Sequence, residues 1–402
     1  MFIRKHYVKK ILPFVDKPVI KVITGLRRVG KSTFLQMLKD HLLKKGVSEK
    51  NILCINKESL EYDFIHDYQD LNKFVKNAFT SVQGKRYLFI DEVQEIKLWE
   101  KAVTSLFTEE KTDIYITGSN AHLLSSELAT LLSGRYVSFP IYPLCFQEFL
   151  QFRNTTPQKA DLNKEFSLFL QYGGLPGIHF LDFKEEVIYH YLNAIFNTIL
   201  LKDVVTRHRI RDVSQLKNIT RFVFDNCGQI VSSKRISDYL KSQKIRITVD
   251  TVQNYLHYLQ NAFLISKTSR YDLKGKRHLE FYEKYYMGEI GMRHGFIGYR
   301  KDDISGLLEN IVYLELLKRG YNVSIGKLED KEIDFIAEKE KSRLYFQVAY
   351  LLASPETEIR EFSPLERIND NYTKIVLSLD KDWGEERRGI LRKNIIQFLL
   401  ED

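Results

Sequence analysis

The sequence Gly25-Leu-Arg-Arg-Val-Gly30-Lys31-Ser32 lies between the β-branched run 19–24 and a stretch whose apolar residues recur at helical spacing. A glycine-rich turn between a strand and a helix, ending in Gly-Lys-Ser, matches the phosphate-binding loop Gly-x-x-x-x-Gly-Lys-Ser/Thr. The glycines let backbone N–H groups close around phosphate oxygens, Lys31 neutralises the terminal phosphates, and Ser32 offers a hydroxyl to Mg²⁺. The motif predicts an ATP and Mg²⁺ site with these nucleotide contacts: Gly25, Arg28, Gly30, Lys31, Ser32 and Thr33.

A second motif, Tyr87-Leu-Phe-Ile-Asp91-Glu92, places two carboxylates after an apolar run, 60 residues beyond Lys31. A buried strand would deliver Asp91 at its carboxyl end, beside the loop, where it can hold Mg²⁺. Glu92 would orient and deprotonate the attacking water. The alternative is an exposed acidic turn after a core strand.

The next apolar run ends in Thr117-Gly-Ser119-Asn120. Asn120 or Ser119 could hydrogen-bond the γ-phosphate or the water, and we assign Asn120 to the catalytic residues. Both could instead cap a helix, because Ser and Asn are favoured N-cap residues.

Short apolar runs at 19–24, 51–56, 86–91, 113–118 and 136–140 alternate with helix-length amphipathic stretches, which predicts an α/β fold with a parallel sheet. A chain of 402 residues exceeds one compact core. Polar composition at 153–161 and later changes of pattern predict four domains: 1–152, a nucleotide-binding core; 153–212, a helical lid; 213–300, a winged-helix domain; and 301–402, a further α/β domain.

With 44% hydrophobic and 28% charged residues, the composition excludes disordered and collagen-like classes. No apolar run reaches the length of a membrane span, and the first ten residues lack a signal-peptide core. We therefore expect a cytoplasmic protein with no membrane contact. The three cysteines are far apart, which argues against disulfides and against a Cys-x-x-Cys metal site.

The net charge of +9 is concentrated in one segment: residues 201–300 hold 19 Lys and Arg against 9 Asp and Glu. This segment shows two helical patterns, at 233–241 and 248–260, and then two β-like runs, at 263–271 and 278–286. That order is typical of a winged helix. A concentrated basic charge suits DNA as a partner, and it equally suits an ordinary solvated face.

Over about residues 1–210 the chain resembles the AAA+ ATPases, with a P-loop, a Walker B strand and a polar sensor-1-like residue. By that resemblance Arg135, in Ser133-Gly134-Arg135, occupies the position of an arginine finger that acts on the γ-phosphate of a neighbouring subunit. The resemblance therefore implies a homo-oligomer. A surface arginine at a helix C-terminus is the alternative.

More narrowly, the chain is similar to a bacterial and archaeal family of predicted ATPases with an uncharacterised C-terminal domain. The shared motifs are Gly25–Ser32, Phe146–Phe149 and Tyr172–Pro176. The resemblance implies that Pro176 packs on the adenine, although Gly-Gly and Pro are also ordinary turn residues. A sensor-2 residue is left open between Lys202 and Arg207.

The C-terminal segment resembles the restriction-endonuclease-like fold: a helix with Glu309, then Glu332-Ile-Asp334, then Tyr345-Phe-Gln347-Val-Ala349. Active members carry Glu-x-Lys on the last strand, where this chain has Gln347 and Ala349. The loss of a carboxylate and a lysine implies a degenerate domain that does not cleave DNA.

Together these patterns predict a Mg²⁺-dependent ATPase that uses ATP hydrolysis to change the conformation of a DNA-associated protein. The alternative is a signalling switch whose winged-helix and C-terminal domains bind a protein partner.

Overall fold

A computed structural model of the chain describes residues 4–121, 132, 134–381 and 386–401. The chain divides into two compact units, Met1–Ile141 and Tyr142–Asp402. This division is coarser than the predicted one, whose boundaries at 152, 212 and 300 stay predictions.

The first unit contains a parallel sheet, and its strands are β1 (Ile20–Thr24), β2 (Ile52–Asn56), β3 (Arg86–Asp91), β4 (Thr112–Gly118) and β5 (Tyr136–Pro140). Their order in the sheet is β2-β3-β4-β1-β5, and every neighbouring pair is parallel. Every residue of β1 and β4 is buried, as expected for central strands covered on both faces. The predicted α/β fold with a parallel sheet is confirmed.

The described helices of the first unit are α1 (Lys5–Ile11), α2 (Lys31–Lys44), α3 (Tyr68–Ala78) and α4 (Trp99–Thr108). Helix α3 begins where the Asp67 side chain accepts hydrogen bonds from the backbone N–H groups of Gln69 and Asp70. Helix α4 packs one face into the core, with Val103 and Leu106 fully buried beside Ile90 of β3.

The described helices of the second unit up to residue 297 are α5 (Phe146–Phe152), α6 (Leu162–Tyr172), α7 (Glu185–Thr198), α8 (Val213–Asp225), α9 (Ser233–Ser242), α10 (Val249–Asn261) and α11 (Ile290–Ile297). Helix α7 continues as a π-helix over Ile199–Thr206. Val252, Leu256 and Leu259 of α10 are buried, as their spacing predicts.

The remaining described helices are α12 (Ile304–Lys318), α13 (Pro355–Glu366) and α14 (Ile395–Leu400). The described strands of the second unit are β6 (Ile230–Val231), β7 (Ile265–Asp272), β8 (Arg277–Met287), β9 (Asn322–Leu328), β10 (Lys331–Lys339), β11 (Ser342–Val348), β12 (Thr373–Ser378), β13 (Glu386–Arg387) and β14 (Ile390–Asn394). These strands form one sheet in the order β13-β14-β12-β11-β10-β9-β7-β8-β6. The antiparallel pair β7–β8 joins the C-terminal strands because β7 pairs in parallel with β9. The hairpin and the C-terminal strands therefore share a continuous sheet.

Across the described ranges, none of the helices combines the length and the apolar character needed to cross a lipid bilayer.

Candidate nucleotide-binding site

The glycine-rich loop connects the end of β1 to the start of α2. Gly25 has a φ of 145°, and a Cβ there would lie 2.2 Å from the carbonyl oxygen of Ile141. Gly30 has a φ of 97° and directly precedes α2. Glycine alone adopts such dihedrals readily and fits the crowded position, so both glycines of the motif are required for the closed loop.

Lys31, the first residue of α2, lies buried inside the loop. Its Nζ donates to the carbonyl oxygens of Gly25 and Leu26, both at 3.1 Å, and lies 3.7 Å from Oε1 of Glu92. The first N–H groups of a helix have no acceptor within the helix, so the start of α2 can bind an anion. Ser32 and Thr33 are exposed in this first turn, and Arg28 is exposed in the loop.

The acidic pair follows β3 at the carboxyl edge of the sheet, and Asp91 and Glu92 are each only 6% exposed. The neighbouring strand β4 supplies Thr117, whose hydroxyl donates to Oδ1 of Asp91 and accepts from the backbone N–H of Glu92 at 3.0 Å. One threonine therefore fixes both acidic residues. Asp91 lies at the carboxyl end of buried strand β3, and its role as a Mg²⁺ ligand stays a prediction.

The two carboxyl groups differ in electrostatics. Burial raises the pKa of Asp91, against hydrogen bonds from Ser32 and Thr117. Burial also raises the pKa of Glu92. The charge of Lys31 and the hydrogen bond from Gln94 act in the opposite direction and are stronger together, so the pKa of Glu92 is lowered. A nearby cation stabilises the charged form of a buried carboxyl group whose pKa is raised. Mg²⁺ prefers hard oxygen ligands, so the Asp91 carboxylate and the Ser32 hydroxyl suit it.

Glu92 is held in a defined position. It has a left-handed φ of 55°, the Ser119 hydroxyl donates to its Oε2 at 3.0 Å, and Nε2 of Gln94 donates to the same oxygen. Asn120 is buried at the same edge of the sheet. The alternative role of Ser119 and Asn120 as helix caps concerns residues 122–131, which lie outside the described part of the chain.

Thr117 and Gln94 had no assigned role in the sequence patterns. Thr117 has a sequence signal, because it stands at the end of the strand next to Asp91. Gln94 has none, since its contact depends on the tight 3₁₀ turn Val93–Glu95 after the left-handed Glu92.

Arg135 lies at the amino ends of the strands, opposite the carboxyl ends where the phosphate-binding loop and the acidic pair lie. It precedes β5, and its carbonyl oxygen accepts from the N–H of Ile20 at the start of β1. Its side chain is exposed, with the guanidinium 5.9 Å from the centre of the Phe107 ring. Because β1 and β5 are parallel, Arg135 lies at their amino ends, whereas Lys31, Asp91 and Glu92 lie at the carboxyl ends.

The Tyr-Gly-Gly-Leu-Pro motif forms a tight turn at the end of α6. The N–H of Gly174 donates to Oε1 of buried Glu289 at 2.7 Å, and burial raises the pKa of Glu289 to about 6 against this and other backbone hydrogen bonds. Pro176 is half-buried and begins the 3₁₀ helix Pro176–Phe180. Its assignment as an adenine contact stays a prediction.

The predicted nuclease-like residues come together in the second unit. Glu309 and Asp334 line one cleft together with Gln347 and Ala349. Oδ2 of Asp334 accepts from the backbone N–H of Val348 at 2.9 Å.

Comparison with known proteins agrees with this geometry. A family model described as an AAA domain matches residues 17–150, and a model described as a domain of unknown function matches residues 163–303. An uncharacterized protein of Haemophilus influenzae is 43% identical over 100% of this chain and 99% of its own length. The chain belongs to the same family as this protein. An uncharacterized protein of Methanocaldococcus jannaschii is 34% identical over 85% of this chain and 78% of its own length.

Among solved structures, the chain is similar in fold to a Walker-type ATPase of Pyrococcus abyssi. The TM-score is 0.52 at 16% identity, with 74% of this chain and 96% of that chain covered. Most of the first unit thus matches an AAA domain model, and its fold is similar to that of a Walker-type ATPase.

Proposed function

We propose that the AAA domain binds and hydrolyses ATP with Mg²⁺. The observation that carries this proposal is the convergence of Lys31, Asp91 and Glu92, from two separate motifs, at one edge of the sheet. The loop N–H groups and Lys31 bind the phosphates, while Ser32 and Asp91 hold Mg²⁺, which would offset the phosphate charge.

The contacts of Lys31 indicate how hydrolysis would depend on nucleotide. The Lys31 ammonium lies between loop carbonyl oxygens and the Glu92 carboxylate. A bound triphosphate competes for the ammonium, which weakens the electrostatic pull on Glu92 and makes its carboxylate a better base for water.

The test is ATP turnover and nucleotide affinity in three variants. Lys31→Ala should lose nucleotide binding, because the cation nearest the phosphates is gone. Glu92→Gln should bind ATP but turn it over ~10²–10⁴-fold more slowly, as expected for the loss of a general base. Lys39→Ala, which removes a lysine of α2 that pairs with exposed Glu49, is the control and should match the parent. Tight ATP binding by Lys31→Ala would contradict the phosphate-loop assignment.

We further propose that residues 213–300 are a winged helix that binds DNA. Its element order is α8-β6-α9-α10-β7-β8, with β6 and β7 both antiparallel to β8. Two clusters of its exposed basic residues are Lys234, Arg235, Lys241, Lys244 and Arg246 around α9, and Lys274, Lys276 and Arg277 at the tip of the β7–β8 hairpin. The exposed face of α10 carries Gln253 and Asn254 as candidate groove contacts.

The alternative, a protein-binding switch, has one specific argument in its favour. The hairpin tip contacts the end of β9 and the turn that follows it: Lys274 pairs with Glu329 at 3.2 Å, and the N–H of Leu273 donates to the carbonyl oxygen of Lys327. Part of the basic tip is therefore partnered within the chain.

Salt-dependent binding of duplex DNA separates the two functions. Replacing Lys274, Lys276 and Arg277 with alanine should weaken binding to every sequence and flatten the slope of affinity against salt, because each lost phosphate contact releases about one counterion fewer. A control triple variant, with alanine at the exposed Lys159, Lys164 and Lys184, should keep the parent slope. Unchanged binding in the hairpin variant would favour the protein partner.

The C-terminal segment, in the order α12-β9-β10-β11-α13-β12, supports a nuclease-like fold. We propose that it is degenerate, because Gln347 and Ala349 replace the carboxylate and the lysine on β11. Its cleft would then serve binding.

A further inference from the structure

Arg27 lies in the phosphate-binding loop and had no assigned role in the sequence patterns. Its side chain is only 9% exposed, whereas the neighbouring Arg28 is exposed. Nη1 of Arg27 lies 3.0 Å from Oε1 of Glu58, whose side chain is 47% exposed. A guanidinium group that is always charged is thus buried at the loop, and it is paired with a carboxylate that water can reach.

The loop backbone places Arg27 beside the groups that would act at the terminal phosphate. Nζ of Lys31 donates to the carbonyl oxygen of Leu26, the residue before Arg27, and lies 3.7 Å from Oε1 of Glu92. Burial raises the pKa of Glu92, while the charge of Lys31, the hydrogen bond from Gln94 and the charge of Arg27, in this order, lower it. The guanidinium group is therefore close enough to the candidate base to act on its charge.

Glu58 comes from the turn after β2, at the same edge of the sheet. Asn56, the last residue of β2, pairs in register with Asp91 of β3. The N–H of Glu58 donates to Oδ1 of Asn56 at 2.9 Å, and the N–H of Lys57 donates to the carbonyl oxygen of Asp91 at 3.2 Å. Glu58 is therefore held beside the acidic pair, where its carboxylate would compete with a phosphate group for the guanidinium.

We propose that Arg27 is a further catalytic residue of the hydrolysis proposed above: with ATP bound, its guanidinium exchanges Glu58 for the γ-phosphate of the nucleotide in its own chain. The inference rests on that proposed function and adds a residue to it. An arginine presents a planar fork of N–H donors that matches phosphate oxygens. Arg27 would thus neutralise charge on the γ-phosphate oxygens in the transition state.

The chemical step transfers the phosphoryl group to water. The water oxygen bonds to the γ-phosphorus, and the bond from this phosphorus to the β–γ bridging oxygen breaks, with its electron pair passing to ADP. Glu92 accepts the proton of the water. Arg27 exchanges no proton and supplies only charge and hydrogen bonds.

The test compares the affinities for ADP and for a non-hydrolysable ATP analogue with ATP turnover, all in the full chain. Arg27→Gln removes the charge, and water can hydrate the half-exposed Glu58, so the variant should fold. ADP affinity should match that of the parent. Affinity for the ATP analogue should fall ~10-fold or more through loss of a charge-assisted hydrogen bond. Turnover at saturating ATP should fall ~10²–10³-fold, as for the loss of one donor to a transition-state oxygen.

Glu58→Gln separates a catalytic role of Arg27 from a purely structural one. If Arg27 only braced the loop through Glu58, the two substitutions would lower turnover equally. Because Glu58 is the competing partner, Glu58→Gln should instead tighten binding of the ATP analogue by ~2–5-fold, the range of a partly exposed ion pair. The matched control is Glu49→Gln, on the amino side of β2, which removes an exposed carboxylate paired with Lys39 and should match the parent.

Mixing Arg27→Gln with Lys31→Ala should restore no turnover, because both defects lie in the loop that binds one nucleotide. Three results overturn the proposal while the parent still hydrolyses ATP: parental turnover in Arg27→Gln, equal losses in Arg27→Gln and Glu58→Gln, or restored turnover in the mixture. A parent that binds no ATP overturns the proposed function as well. If Arg27→Gln does not fold, Arg27→Lys replaces it, since lysine keeps the charge and loses the fork. Parental turnover and ATP preference in Arg27→Lys would then count equally against the proposal.

Discussion

Thr117 contacts both acidic residues of the candidate site through a single hydroxyl group. It donates to the side chain of Asp91 and accepts from the backbone of Glu92. The side-chain contact fixes the predicted metal ligand, and the backbone contact supports the left-handed conformation of Glu92, which is costly for a residue with a Cβ. The arrangement of the site thus depends on a residue that need not touch the nucleotide.

Thr117→Val keeps the shape of the side chain and removes both hydrogen bonds. A hydrogen bond to a charged group contributes about 1.5–3 kcal/mol, so we expect ATP turnover to fall ~10-fold or more, with a higher Mg²⁺ requirement and little change in nucleotide affinity. Turnover measured against Mg²⁺ concentration checks this. Thr117→Ser should retain activity, and Thr112→Val, at the amino end of the same strand, should match the parent. Equal turnover in Thr117→Val and the parent would remove Thr117 from the site.

The residues that could be predicted from the sequence are those whose roles follow from the backbone. Lys31 and Asp91 belong to motifs in which the end of a strand determines where the side chain lies. The contacts of Gln94 and Glu289 could not be predicted, because the first comes from a tight turn and the second from a distant part of the chain. The spacing of residues in the sequence indicates local secondary structure and gives no information on contacts of this kind.

At the scale of elements, the turn after α6 is determined by two glycines and one buried acid. Gly173 has a φ of 75°, and a Cβ there would lie 1.8 Å from Oε1 of Glu289 and 2.6 Å from the backbone nitrogen of Gly291. The motif thus has a structural role that is independent of any contact between Pro176 and adenine.

Gly173→Ala should therefore destabilise the second unit strongly. Gly173 combines its positive φ with a ψ of −165°, a conformation essentially restricted to glycine that costs a residue with a Cβ about 1–3 kcal/mol. Displacement of the Glu289 carboxyl group from its buried hydrogen bonds adds about 1–3 kcal/mol. Gly46→Ala is the matched control, because Gly46 has a φ of 87° but no atom within 4 Å of a Cβ. Urea unfolding midpoints measure both. Equal loss in the two variants would mean that the contact with Glu289 adds nothing.

The elements themselves were largely predictable, since β1 to β5 are apolar runs and α10 has a regular apolar stripe. The parallel pairing of β7 with β9 was not, because it joins residues 55 positions apart, with another strand and two helices between them. Sequence patterns determine which face of a strand is buried but not which strand is its neighbour.

At the scale of the whole molecule, Arg135 and the phosphate-binding loop lie at opposite edges of one sheet. A strand of five residues spans about 13 Å between its end residues, so Arg135 is far from the Lys31 loop of its own AAA domain. If Arg135 acts on phosphate, that phosphate belongs to another copy of the chain. An arginine finger at Arg135 would therefore require at least two copies of the chain to assemble.

Mixing variants tests this claim. Arg135→Ala should bind ATP normally and hydrolyse it ~10³-fold or more slowly, within the range for loss of an arginine finger. Lys31→Ala supplies an intact arginine but no working loop. Mixing the two inactive proteins should restore part of the turnover, because some interfaces combine an intact loop with an intact Arg135. Turnover of the parent should also rise with its concentration.

The comparison variant is Arg28→Ala, at an exposed arginine of the loop. If Arg28 acts on the nucleotide of its own chain, mixing Arg28→Ala with Lys31→Ala should restore no turnover. Full activity of a strictly monomeric parent protein would reject Arg135 as a residue that acts between subunits.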